Sequence, residues 1–242
     1  MRLDQYLVEQ KNFPSRARAQ TAIKAGLVRV SGAVATKASI RIAADVRVDV
    51  DGDIHEYVSR GGVKLEAILR QFEINVAGKI CVDLGASTGG FTEVLLNAGA
   101  AKIYAVDVGT GQLHPKIAGD KRVINLEKTH AKDLNRDLIV DPLDIIVCDV
   151  SFISLKKALP PALAFAAPGA QLAALIKPQF EVGRQGIGKG GIVKDGMAEP
   201  VAIDIENWIN QLSGWKSTGY FESPIKGGDG NREFLVGAIK TA

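Results

Sequence analysis

The sequence predicts an α/β protein, a mostly parallel sheet flanked by helices, with a small basic α+β unit ahead of it. Residues 79–107 run from apolar strand to glycine-rich turn, amphipathic helix, second apolar strand and acid, the order of a βαβ unit. Two more apolar runs, DIIVCDVSF (144–152) and LAALIKPQFE (172–181), also stop at charged residues. Positive charge gathers at the amino end: up to residue 41, eight basic residues face only Asp4 and Glu9, although the whole chain carries +3. Such asymmetry fits a part that meets a polyanion, joined to a body with another task.

The chain has 242 residues, enough for one large domain or a medium domain with a small appendage. Its 46% hydrophobic and 24% charged residues are ordinary for a globular protein. Cys81 and Cys148 both lie in apolar runs and read as buried, reduced thiols of a cytoplasmic protein. MRLDQYL lacks the apolar core of a signal peptide. The uncharged stretch 158–176 is broken by Pro160, Pro161, Pro168 and Gly169, so it reads as helix, turn and buried strand rather than a membrane span. No stable membrane association is expected. Three scattered histidines and no Cys/His cluster argue against a metal site.

In the amino-terminal unit, residues 2–9 place Leu3, Tyr6 and Leu7 on one helical face. Pro14 and Ser15 offer the next helix start, with Ser15 as cap. Arg16, Gln20 and Lys24 then form a polar stripe opposite Ala19, Ala22 and Ile23, which would pack on Leu3 and Leu7. Gly26 ends that helix, and LVRVSG reads as a strand closing on a Ser31-Gly32 turn. Spacing alone fits a helical adaptor with a solvated charged face equally well. The pattern RLDQYL…SRARAQTAIKAGLVRVSG, however, resembles the S-four-type RNA-binding domain over residues 1 to about 50. That resemblance implies RNA contacts from Arg2, Ser15, Arg16, Arg18, Lys24 and Arg29. With no aromatic platform evident there, phosphate grip and RNA shape would dominate.

The turn KICVDLGASTGG does not fit the G-x-G-x-x-G of dinucleotide sites. It has Asp83 two residues ahead of Gly85, then Ser87 and Gly89. An acid there suits a cationic ligand and is a poor neighbour for pyrophosphate. S-adenosylmethionine, with its sulfonium, ammonium and ribose, matches that chemistry, and Asp107 ends the next strand where a ribose diol would lie. Cofactor contacts are assigned to Asp83, Gly85, Ala86, Ser87, Thr88, Gly89, Gly90, Phe91, Asp107 and Val108.

In a parallel sheet all strand carboxyl ends open on one edge, where ligands bind. Asp149 and Lys177 end two strands there. Glu233 begins the last strand, and Lys64 of SRGGVKL sits on a helix before the first. Any one of these alone reads as a cap or a solvated charge. Together they are two cations and two anions that can be partly buried as a balanced set. That set resembles the Lys-Asp-Lys-Glu tetrad of FtsJ-like ribose 2′-O-methyltransferases. With VDLGASTGGFT, CDVSFIS, IKPQFE and GNREFLV, the whole chain resembles the TlyA (haemolysin A) family. The resemblance implies a Rossmann-like class I methyltransferase with a seven-stranded, mostly parallel sheet, acting on ribosomal RNA, with S-adenosylmethionine as donor. It divides the chain into an RNA-binding domain (1–58), a linker (59–63) and a methyltransferase domain (64–242).

Lys64, Asp149, Lys177 and Glu233 are thereby the expected catalytic residues, with Lys177 positioning the ribose hydroxyl and taking its proton. Lys64 and burial favour a neutral amine at Lys177, while Asp149 and Glu233 favour the ammonium, so positioning and base catalysis both stay open. Asp149 is followed by Val-Ser-Phe instead of Pro-Pro-Tyr/Phe, which argues against methylation of an exocyclic amine. Residues 181–196, with many glycines and Arg184, Lys189 and Lys194, read as a mobile loop closing over RNA. The competing readings are a membrane-active cytolysin, which needs an insertion segment that is not visible, and a non-catalytic RNA-binding protein, which the intact loop and tetrad oppose.

Overall fold

The computed structural model describes the chain except residues 12, 14, 25, 44–45, 51–56 and 242, and except the side chains of residues 17, 18 and 21. The chain forms two compact units, Met1–Glu56 and Tyr57–Ala242.

In the first unit, α1 (Leu3–Gln10) and α2 (Arg16–Lys24) precede a small antiparallel sheet. Its strands are β1 (Val28–Val30), β2 (Ala33–Val34) and β3 (Val48–Val50), in the order β2-β1-β3. The apolar stripe of α2, Ala19, Ala22 and Ile23, shares one buried cluster with Leu3, Leu7 and Val28. Ser31 and Gly32 join β1 to β2 with φ of 50° and 83°. Two successive left-handed residues are the mark of the tight hairpin turn whose twist matches the strands. Pro14, expected to help start α2, lies outside the described residues.

The second unit is a seven-stranded sheet. Its strands are β4 (Ile80–Leu84), β5 (Lys102–Val106), β6 (Val123–Leu126), β7 (Leu143–Cys148), β8 (Ala166–Ile176), β9 (Trp215–Glu222) and β10 (Phe234–Lys240). They lie in the order β6-β5-β4-β7-β8-β10-β9, and β10 runs antiparallel to both its neighbours. Helices α3 (Gly61–Gln71), α4 (Gly90–Asn97), α5 (Pro115–Ala118), α6 (Leu155–Leu163) and α7 (Ala198–Gln211) complete the unit. On β4, Cys81 joins the cluster that includes Leu65 of α3 and Val94 of α4, while Val82 and Leu84 join the one with Leu159 of α6 and Ile205 of α7. Covered on both faces, the central strands are apolar at nearly every position, which is why they were legible.

Stretch 158–176 resolves into α6 and β8, with Pro160 and Pro161 inside the short helix and Pro168-Gly169 at the exposed start of the strand. Both cysteines are buried, and burial is the largest cause pushing each thiol up to about 12.

Candidate active site

Sheet register brings three charged residues to one edge. Cys148 pairs with Ala174 between β7 and β8, and Phe234 pairs with Ile176 between β10 and β8. Asp149 follows β7, Lys177 follows β8 and Glu233 precedes β10, so all three emerge side by side. The fourth comes from α3, whose first turn approaches the same edge: a Cβ on Gly61 would lie 3.5 Å from Asp149 Oδ2. Lys64 is three residues further on, on the same helical face.

The four form two ion pairs. Lys64 Nζ meets Glu233 Oε2 at 2.5 Å, with side chains only 8% and 3% exposed. Lys177 Nζ stands 2.6 Å from Asp149 Oδ1 and donates a hydrogen bond to Ser151 Oγ at 2.8 Å. The Lys177–Asp149 contact is close but poorly aligned, and it makes no hydrogen bond; Asp149 Oδ1 is buried without any hydrogen-bond partner among the described residues.

Asp149, Ser151 and Lys177 line an open cavity of about 180 Å³ whose other walls are Ser59, Gly61, Phe91 and the turn at Gly85, Ala86, Ser87, Thr88 and Gly90. The turn needs its glycines. Gly85 has φ +83°, and a Cβ there would come within 2.7 Å of the Asp149 carbonyl oxygen. Gly89, at φ 95°, is the N-cap of α4, and a Cβ on Gly90 would collide with Ser59 Oγ. Gly85→Ala should therefore push β4 and β7 apart where the cavity floor forms. We expect cofactor binding to fall by about tenfold or more, since a lost left-handed conformation plus a backbone clash costs upwards of 1–2 kcal/mol. Calorimetry showing native affinity for this variant would contradict that floor.

Asp107 ends β5, and each of its oxygens accepts a backbone amide: Oδ2 from Ser87 at 2.8 Å and Oδ1 from Gly109 at 2.7 Å. It thus holds the glycine turn, and like Asp83 it is not among the residues that line the cavity. Val108 is 60% exposed, and neither it nor Gly89 lines the cavity.

Asp83 lies beneath the floor rather than on it. It is fully buried and accepts from Thr92 Oγ1 at 2.6 Å, while its Oδ1 has no hydrogen-bond partner among the described residues. Burial pushes its carboxyl up to about 7, opposed by the Thr92 hydroxyl and helped by Asp149 and Asp107. An unfolded aspartate titrates near 3.9, so between about pH 4 and 7 the folded chain holds a proton that the unfolded chain has released. Stability should fall as pH rises through that window, by at most about 4 kcal/mol. Asp83→Asn keeps the Thr92 contact and removes the titration. Melting curves at pH 5 and pH 7.5 should show the variant losing less stability than the native chain, and equal losses would refute the assignment.

Several site residues escaped the sequence reading. Ser59 and Ser151 line the cavity, and Glu93, nearly buried on α4, accepts from Val58 N and from Lys116 Nζ. Phe152 is 90% exposed with φ 65°, its ring 5.0 Å from that of Phe180. Small hydroxyls and single loop residues carry no periodic signal. Glu181, quoted as part of a motif, accepts from Leu155 N at 2.8 Å and so helps cap α6.

The expected RNA contacts divide. Arg2 and Arg16 both bond to Asp4, a fully buried carboxylate that also accepts from Gln20 and is held well below its ordinary range, by the Arg2 hydrogen bond first of all. Two guanidiniums on one carboxylate leave a net positive charge, and both side chains remain 40–52% exposed. Ser15 and Lys24 are exposed, Arg29 donates to Gly32 O at 3.3 Å, and the Arg18 side chain lies outside the described residues. In the other unit Arg184 and Lys189 are exposed. Their segment, expected as a mobile loop, is folded as a small hairpin: Ile187 bridges Val193, Gly188 N donates to Ile192 O at 2.7 Å, and Lys194 N donates to Gly186 O at 3.0 Å. Its glycines at positions 190, 191 and 196 take left-handed φ, so they build turns where the composition suggested slack.

Among the described residues no helix is long and apolar enough to cross a membrane, and no group of three His, Cys, Asp or Glu gathers as a metal site.

Comparison with known proteins agrees with this geometry. The FtsJ-like methyltransferase family matches residues 57–240, and the S4 domain family matches residues 1–48. Over 239 residues the chain is 42% identical to Hemolysin A of Brachyspira hyodysenteriae, spanning 98% of each protein. It is equally 42% identical, over 236 residues, to the 16S/23S rRNA (cytidine-2′-O)-methyltransferase TlyA of Mycobacterium tuberculosis, covering 97% of this chain and 88% of that one. A solved structure from Streptococcus thermophilus, described as a "putative hemolysin", matches with a TM-score of 0.76 at 39% identity, over 100% of this chain and 88% of that one. With the sheet edge, the glycine turn and the two ion pairs in place, the chain belongs to the FtsJ-like methyltransferase family and carries an S4 domain ahead of its catalytic unit.

Proposed function

We propose that this protein transfers a methyl group from S-adenosylmethionine to a ribose 2′-hydroxyl of ribosomal RNA, acting in the cytoplasm on RNA within ribosomal subunits. The observation that supports it most is the placing of Lys177, Asp149 and Ser151 at one wall of a cavity floored by the Gly85–Gly90 turn. The residues fit such a donor. The backbone approaches closely at Gly85, the Asp149 carboxylate stands at the cavity wall, and Asp107 follows the neighbouring strand.

When bound, the donor supplies an electrophilic methyl on a sulfonium. The protein's part is to hold a weak nucleophile in line with it. Asp149 draws the donor's cationic end to the cavity and fixes Lys177. Lys177, lining the cavity, takes the 2′-hydroxyl at hydrogen-bond distance, which converts an encounter between two substrates into an oriented reaction. The hydroxyl proton becomes strongly acidic as the carbon–oxygen bond forms, so it need only be accepted late. Lys64 and Glu233 form the buried pair behind this wall. The RNA is gripped through its phosphates by Arg2, Arg16, Lys24 and the exposed Arg184 and Lys189, a grip that weakens as salt rises.

Tritiated methyl transfer from S-adenosylmethionine to isolated ribosomal subunits tests the proposal. Labelled RNA whose modified linkage resists alkaline cleavage is the expected product. Label on a base, or no transfer to either subunit, would overturn it, and dye release from liposomes by the pure protein would instead support the cytolysin reading.

A further inference from the structure

Asn231 is 1% exposed, and nothing in the chemistry above uses it. Both ends of its amide are engaged on one partner segment: Oδ1 accepts from Val193 N at 2.9 Å, and Nδ2 donates to Gly191 O at 3.1 Å. Among the described residues, these are the side-chain hydrogen bonds that tie 186–194 to the rest of the unit. Val193 itself is buried in the core cluster shared with α7. The other side of Asn231 faces the catalytic edge. Its carbonyl accepts from Gly227 N at 3.0 Å, and a Cβ on Gly227 would lie only 2.7 Å from Glu233 Oε1. Asn231 therefore stands between the hairpin that carries Lys189, with Arg184 in the turn just ahead of it, and the strand start that presents Glu233.

A buried amide with both its donor and acceptor sides satisfied is directional in a way an apolar contact is not. It fixes the hairpin's distance and twist relative to the strand, where glycine-rich backbone would not. We propose that Asn231 is a positioning residue that locks the basic hairpin in register with the Lys64–Glu233 pair, so that a polyanion held by Arg184 and Lys189 meets the catalytic edge at a fixed offset. This rests on the RNA reading of the hairpin given above.

The test is a mutant cycle on the full chain, read as affinity for isolated ribosomal subunits. The variants are Arg184→Ala with Lys189→Ala, Asn231→Ala, and all three together. Removing the two cations should weaken binding about tenfold, and Asn231→Ala alone should cost a similar factor with cofactor affinity unchanged. If Asn231 presents the cations, the triple variant should be within about twofold of either parent, because the same interaction is lost only once. Losses that multiply would overturn the proposal, as would an Asn231→Ala chain that binds subunits normally. A silent Arg184→Ala/Lys189→Ala chain would instead refute the RNA reading of the hairpin, and the proposal with it. Should Asn231→Ala lose cofactor binding through misfolding, Asn231→Ser replaces it in the cycle, since it stays polar and uncharged but is too short to span Val193 N and Gly191 O together.

Discussion

Lys177→Ala should lower methyl transfer by about 10³-fold while leaving both ligands bound, in line with the 10²–10⁴-fold typical of a positioned proton acceptor plus lost orientation. Its ammonium nitrogen sits 2.6 Å from Asp149 and 2.8 Å from Ser151 at the cavity wall, so the truncation removes a cavity-lining group and no part of the hydrophobic core. An interaction made chiefly in the transition state costs rate, not affinity. Single-turnover transfer with saturating cofactor and subunits gives the rate, and separate binding measurements give the affinities. Lys177→Arg then divides the two roles left open. Guanidinium can still donate to the hydroxyl but does not give up a proton at usable pH. Retention of a few per cent of the rate means positioning suffices, while a chain as inactive as Lys177→Ala means that a neutral amine must accept the proton. A Lys177→Ala chain that transfers at the native rate would remove the tetrad from the mechanism altogether.

The tetrad was legible because three of its members punctuate apolar strands. A charge placed directly after IIVC or LAALI, or directly before FLVGAI, can only stand at a strand end, and a parallel sheet puts those ends together. What the sequence could not say is which cation meets which anion. That depends on register: Phe234 opposite Ile176 sets Glu233 near the end of β8, yet Glu233 pairs with Lys64 from α3, leaving Lys177 to Asp149. Strands β6 and β9 were missed because each is half-exposed, with polar residues such as Asn125, Lys216 and Ser217 interrupting any apolar run. Asp83 looked like a ligand contact by its place in the turn, but the Thr92 hydroxyl holds it under the floor. The hairpin at 186–194 leaves no local signal in the sequence because the amide that organises it, Asn231, lies 38 residues away from Val193.

The Lys64–Glu233 pair should show the largest stability effect in the molecule. Glu233→Gln keeps shape and removes the charge, leaving an ammonium only 8% exposed with no carboxylate to meet it. Breaking one side of a buried pair typically costs about 3–5 kcal/mol. For a unit of this size that corresponds to a melting temperature lower by about 10 °C. Replacing both partners, as in Lys64→Met with Glu233→Met, removes the desolvation penalty together with the attraction, and such exchanges are often neutral or stabilising. The double variant should therefore melt near the native temperature and bind cofactor, yet fail to methylate RNA. That combination separates what the pair does for folding from what it does at the catalytic edge. A Glu233→Gln chain that melts within about 1 °C of native would mean the pair contributes little beyond its solvation cost. A double variant that is stable and fully active would mean that Lys64 and Glu233 are scaffolding alone, with the chemistry confined to Lys177 and Asp149.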